Sequence, residues 1–146
     1  MKTEYINYII WNKEYSIDVL EIDLQHKELM NLVNNSISHC LGSAKSEKKY
    51  FDKIVNESIK FLEKHFSTEE QIFDRTGYDK KEEHKKEHET IFNKMTAISN
   101  DLKDDKKEMD LFTLITNLKE WLLSHILAYD KTAKEYFKEG IKKVSP

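Results

Sequence analysis

Proline is nearly missing from this 146-residue chain: its one proline, Pro146, is the last residue, and only 3 glycines accompany it. Sheets need frequent turns, and turns draw heavily on both residues. Their scarcity predicts an all-α fold. Cysteine is almost absent too. Cys40 stands alone, which rules out an internal disulfide and predicts a reducing compartment. No apolar run approaches the roughly 18 residues of a membrane span, and residues 1–8 lack the apolar core of a secretory leader. A cytoplasmic protein with no membrane contact is therefore expected. Charge of one sign is lacking as well. The 24 basic and 27 acidic side chains give a net −3 and are interspersed, so no basic face invites nucleic acid.

What the chain does have is helical periodicity. Its length predicts one domain, 1–146, able to bury one good core. Residues 1–18 carry Tyr5, Tyr8, Trp11, Tyr15 and Ile17 without helical spacing, which predicts an extended arm packed on the rest. A first helix is expected over 20–40, where Ile22, Leu29, Leu32, Val33 and Ile37 keep a near-3.6 period. Leu41-Gly42-Ser43 ends it, and Ser46 is placed to cap a second helix over 47–73. After a turn at Thr76-Gly77-Tyr78, Asp79 and Glu82 have capping-box spacing, so a third helix is expected over 80–102. Asp104–Lys107 reads as a solvated loop before a fourth helix at 109–130, and a short helix reaches 140. Four such helices with short connections predict an up-down-up-down four-helix bundle with an N-terminal extended arm.

On that bundle the histidines converge. His26 lies early in the first helix, His65 and Glu69 late in the second, His84 and His88 early in the third, and His125 and Asp130 at the end of the fourth. In an up-down-up-down arrangement these positions all fall at one end. The i, i+4 pairs His65/Glu69 and His84/His88 each occupy one helix face. His125 and Asp130 do not, because five residues turn about 140° beyond a full circle. A π-type bulge or a loosened helix end would reunite them. Five imidazoles and two carboxylates exceed the needs of one metal and suit two octahedral ions. The nitrogen-rich donor set favours iron over zinc. Counting donors puts His84, His88 and His125 on one ion and His26 and His65 on the other, with Glu69 and Asp130 spanning both.

These segments carry a family resemblance. Trp11, Asp23-Leu24-Gln25-His26, His65-Phe66-Ser67-Thr68-Glu69-Glu70, His84-Lys85-Lys86-Glu87-His88 and His125-Ile126-Leu127-Ala128-Tyr129-Asp130 resemble hemerythrin, especially the single-domain bacterial hemerythrins. All seven ligand positions of the family's motif are filled, and the H-x4-D spacing is the family's own. The resemblance implies two iron ions (ferrous or ferric) joined by a bridging oxo or hydroxo group. It implies reversible dioxygen binding for storage, transport or delivery rather than enzymatic turnover. The other functions considered are an O₂ or redox sensor acting through a separate partner, and a di-iron enzyme consuming peroxide or nitric oxide.

Helical spacing also places apolar residues around the histidine layer. Leu29 follows His26 by three residues, Trp121 and Leu122 precede His125 by four and three, and Phe66 and Ile126 adjoin His65 and His125. They form the expected O₂ pocket. Gln25, Glu70 and Glu87 are the candidates to accept the outward ring N–H of a metal-bound imidazole. Tyr129 faces either the pocket or solvent, and Trp11 is either core or cover. His84–His88 also matches H-x-x-E-H, a zinc-protease pattern, but that reading leaves His26, His65 and His125 unexplained. His39 is expected on the surface, and Cys40 as an isolated thiol.

Overall fold

The structure is a computed structural model that describes residues 7–40, 47–103 and 111–144. Five α-helices make up most of it: α1 (Leu20–Cys40), α2 (Glu47–Thr76), α3 (Lys81–Lys103), α4 (Leu111–His125) and α5 (Lys134–Val144). A π-helical segment, Ile126–Asp130, continues α4, and a 3-10 turn occupies Lys13–Tyr15. No β-strand occurs among the described residues, and no helix among them is long and apolar enough to cross a membrane. α2 packs against α1, α3 and α5, while α1 also packs against α4.

Several local features depart from the sequence expectations. The stretch before α1 is not uniformly extended, because the Asn12 side chain accepts from Glu14 N–H and starts the 3-10 turn. α2 runs through Thr76 and α5 through Val144, both beyond the expected ends. α3 starts at Lys81, where Lys81 N–H donates to Tyr78 O. The Leu41-Gly42-Ser43 stop, the Ser46 cap, the Asp104–Lys107 loop and the side chains of His39 and Cys40 lie outside the described residues.

The α2–α3 connection is tight because Gly77 adopts φ +68°, a left-handed conformation that costs a residue with a β-carbon about 1–2 kcal/mol. It lets both Gly77 N–H and Tyr78 N–H donate to Phe73 O, and brings the Tyr78 ring within 4.9 Å of Phe73. Before α1, Ile9 exchanges two hydrogen bonds with the Asn34 side chain, and Asp23 accepts from Ser16 Oγ and Ile17 N–H.

Buried apolar residues form two clusters. One gathers Leu29, Val33, Ile54, Leu62, Met95, Leu118 and neighbours. The other gathers Ile17, Ile22, Ile72, Phe73, Tyr78, Ala133 and Phe137. The candidate site lies between them: along α1 the order is Ile22, His26, Leu29, and along α2 it is Phe66, Glu69, Ile72.

The second cluster depends on α5 approaching α2 closely at Gly140, where a β-carbon would run into Ile72 Cγ2. A Gly140→Ala substitution gains about 1 kcal/mol of helix propensity, but overpacking this contact costs about 1–3 kcal/mol. A net loss of stability is expected, read as a lower midpoint in chemical denaturation. An unchanged or higher midpoint would show that α5 can withdraw freely.

Candidate metal centre

Each helix delivers its part of the site by simple register. On α2, His65 and Glu69 are one turn apart, with His65 Nε2 3.1 Å from Glu69 Oε2. On α3, His84 and His88 stand one turn apart with ring centroids 4.7 Å from each other. After His125 the chain widens to π-helix, in which Lys131 N–H donates to Ile126 O five residues back. The wider winding brings positions five apart onto one face, and His125 Nε2 comes 3.2 Å from Asp130 Oδ1. Of the two expected ways of reuniting this pair, the π segment is the one observed.

All seven candidate side chains are buried and meet in one place. Two sets of potential ligand atoms form: Glu69 with His84, His88 and His125, and His26, His65, Glu69 and Asp130, each set within 4.8 Å. The carboxylates divide between them. Asp130 Oδ1 faces His84 and His125, at 3.0 and 3.2 Å from their Nε2 atoms, while Oδ2 lies 2.9 Å from His26 Nε2. Glu69 Oε1 lies 3.0 Å from His88 Nε2 and 3.3 Å from His84 Nε2, while Oε2 faces His65.

These short distances are mostly not hydrogen bonds. His26 Nε2, Glu69 Oε2 and both Asp130 oxygens are buried without a hydrogen-bond partner. Leaving such groups unpaired costs about 1–3 kcal/mol each, more when charged. Ligand atoms that crowd together with so many left unbonded are arranged for a cation between them. The residues therefore fit a metal centre.

Two outward ring nitrogens are engaged. His65 Nδ1–H donates to Gln25 Oε1 at 2.6 Å, and His88 Nδ1–H to Glu70 Oε2 at 3.0 Å. Each acceptor holds the proton on Nδ1 and leaves the Nε2 lone pair facing inward. No such bond from Glu87 is seen. His26, His84 and His125 have no hydrogen-bond partner at Nδ1.

Aromatic rings enclose the layer. Phe66 stacks on His88 at 3.8 Å and Trp121 on His125 at 4.7 Å, so both lie against the three-histidine set. Leu29, Leu122 and Ile126 are buried, and Trp121 is half-buried. The Tyr129 ring stacks on His125 at 5.5 Å. Trp11 packs beside Tyr15 on the larger apolar cluster, with Lys27 Nζ 4.7 Å above its ring. Sequence reasoning missed Phe73 and Phe137, which close the far side against His84. The spacing of Ala133, Phe137 and Ile141 was the available signal.

The charges are interdependent. Burial works against ionising Glu69 and Asp130, yet the surrounding imidazoles, His125 and His26 among them, hold both below the ordinary carboxylate range. Burial likewise opposes charge on His26 and His125, but the two carboxylates outweigh it and raise them to about 9 and about 10. The same balance raises His84, whereas burial prevails at His65 and lowers it.

The Hemerythrin HHE cation binding domain matches residues 18–137. A bacteriohemerythrin of Clostridium acetobutylicum is 26% identical over 125 residues, covering 84% of this chain and 95% of its own. One from Aquifex aeolicus is 27% identical over 128 residues, covering 85% and 93%. A myohemerythrin of Theromyzon tessulatum is 22% identical over 120 residues, covering 82% and 86%.

Ligation needs neutral imidazole, so cation uptake at pH 7 is expected to expel the protons held by His26 and His125. Calorimetry in buffers of different ionisation heat reads this directly, and affinity should climb as pH rises toward about 10. Without a cation the sign reverses. The two raised histidines stabilise the fold fully below their ordinary 6.5, and that contribution is lost as pH rises through about 9 to about 10. Uptake without proton release would contradict this charge arrangement.

Proposed function

The chain belongs to the hemerythrin family, and from that membership we propose that it binds dioxygen reversibly at a non-haem di-iron centre, for O₂ storage, transport or delivery in the cytoplasm. His84, His88 and His125 would hold one iron and His26 and His65 the other, with Glu69 and Asp130 contributing an oxygen to each. The observation that carries this reading is the division of each carboxylate, with one oxygen toward each histidine set. A single-ion site would have no use for that division. The proposed framework is an up-down-up-down four-helix bundle with an N-terminal arm. It is supported by the meeting of residues from the start of α1, the end of α2, the start of α3 and the end of α4 in one layer.

Iron held there would supply the electrons for O₂ binding. The protein's part is to shape the two sides differently. Three imidazoles and two carboxylate oxygens surround one position, while two imidazoles and two carboxylate oxygens surround the other. The side with His26 and His65 would be one donor short, which leaves a coordination position for a small molecule. Leu29, Phe66, Trp121, Leu122 and Ile126 keep water from the layer, which would slow autoxidation of the loaded site. Five neutral imidazoles against two carboxylates also leave less negative charge than carboxylate-rich di-iron sites carry. That disfavours the high oxidation states needed to attack a substrate, and supports binding over turnover.

Purified protein is expected to contain iron in stoichiometric amount. It should show a visible charge-transfer band in air that fades under nitrogen and returns on re-aeration. His65→Leu, which removes a donor from the side with the open position, is expected to abolish the reversible band. Iron-free protein, or a colour change that does not reverse, would overturn the proposal.

A further inference from the structure

Of the five imidazoles in the centre, the two braced from outside at Nδ1 are braced by chemically different groups. His65 Nδ1–H meets the neutral amide oxygen of Gln25 at 2.6 Å, and His88 Nδ1–H meets the carboxylate of Glu70 at 3.0 Å. The braces also cross between helices. Gln25 is the chain neighbour of His26 on α1 and holds a histidine of α2. Glu70 is the chain neighbour of Glu69 on α2 and holds a histidine of α3. One set of donor atoms is thus backed by a carboxylate and the other by an amide. We propose that Glu70 and Gln25 act as positioning residues that make the two halves unequal, so that the half containing His88 takes up a divalent cation first and holds it more tightly than the half containing His65.

The physical reason lies in what each brace does to the ring. A carboxylate that accepts the Nδ1 proton draws it outward and shifts electron density to Nε2, making the ring a stronger donor. An amide oxygen orients the ring as firmly but polarises it less. Glu70 is 33% exposed, so its charge acting through space is screened by water; its direct bond to His88, which is 2% exposed, is not. The His88 Nε2 atom so directed stands 3.0 Å from Glu69 Oε1 and 3.2 Å from His125 Nε2, within its donor set. The half with His65 has one imidazole fewer and no anionic brace.

The inference rests on reading the cluster as a two-cation centre, and its test separates the two. Metal-free full-length protein is titrated with Co²⁺ at fixed pH, followed by calorimetry and by the visible absorption of the bound ion. Two resolved steps are expected. Glu70→Gln keeps an acceptor for His88 but removes the charge, and should weaken the first step about tenfold, leaving the second unchanged. Gln25→Glu should tighten the second step and draw the two together. Thermal melts of the metal-free variants check folding, and the Gln25→Glu result stands even if Glu70→Gln proves unstable. Two cations bound, with neither step responding to either substitution or both weakened equally by Glu70→Gln, would overturn the inequality alone. Uptake of one cation or none would overturn the two-cation reading with it.

Discussion

Glu69 and Asp130 have no solvent exposure, and an ionised carboxylate so placed must be met by positive charge. Much of the surrounding structure answers that demand. Five imidazoles from four parts of the chain face the two carboxylates, and those at His26, His84 and His125 are pushed toward the protonated form by them. Proton and cation therefore compete for the same atoms. In either case positive charge meets the two buried carboxylates, which lets a polar slab persist between two apolar clusters.

The clusters in turn hold the layer in register. Leu62, Phe66, Leu122 and Ile126 press from one side, and Ile72, Phe73, Ala133 and Phe137 from the other. On α1 and α2 a side chain in the layer is thereby bounded above and below by close-packed residues on its own helix. In the π segment regular helix gives way. This segment puts Asp130 beneath His125 and turns the chain toward Ala133 and α5. The Lys13–Tyr15 turn contacts this same segment, so the chain before α1 touches the irregular element on which the second carboxylate depends.

Much of this was legible in residue spacing. His65/Glu69 and His84/His88 share a face because four residues nearly complete a helical turn, and that holds in any α-helix. The second apolar cluster was not legible as one unit. Ile17 and Val19 precede α1, Tyr78 follows α2, and Ala133 and Phe137 lie beyond the π segment. No single period links residues so far apart. Nor did composition separate Glu70 from Glu87 as a brace. Both are glutamates adjacent to candidate ligands, and only the placement of α2 against α3 turns Glu70 toward His88 Nδ1.

The amino-acid sequence by itself determined the helical class, the families of residues on each helix face and the histidine-rich chemistry, because these follow from local periodicity and side-chain type. Tertiary structure alone decided how each carboxylate divides its oxygens, which ring nitrogens are braced and by what, and which route brings His125 to Asp130. Those are distances of about 3 Å between atoms on different helices or across an irregular turn. Helical spacing specifies direction within one element, and such contacts depend on how separate elements pack.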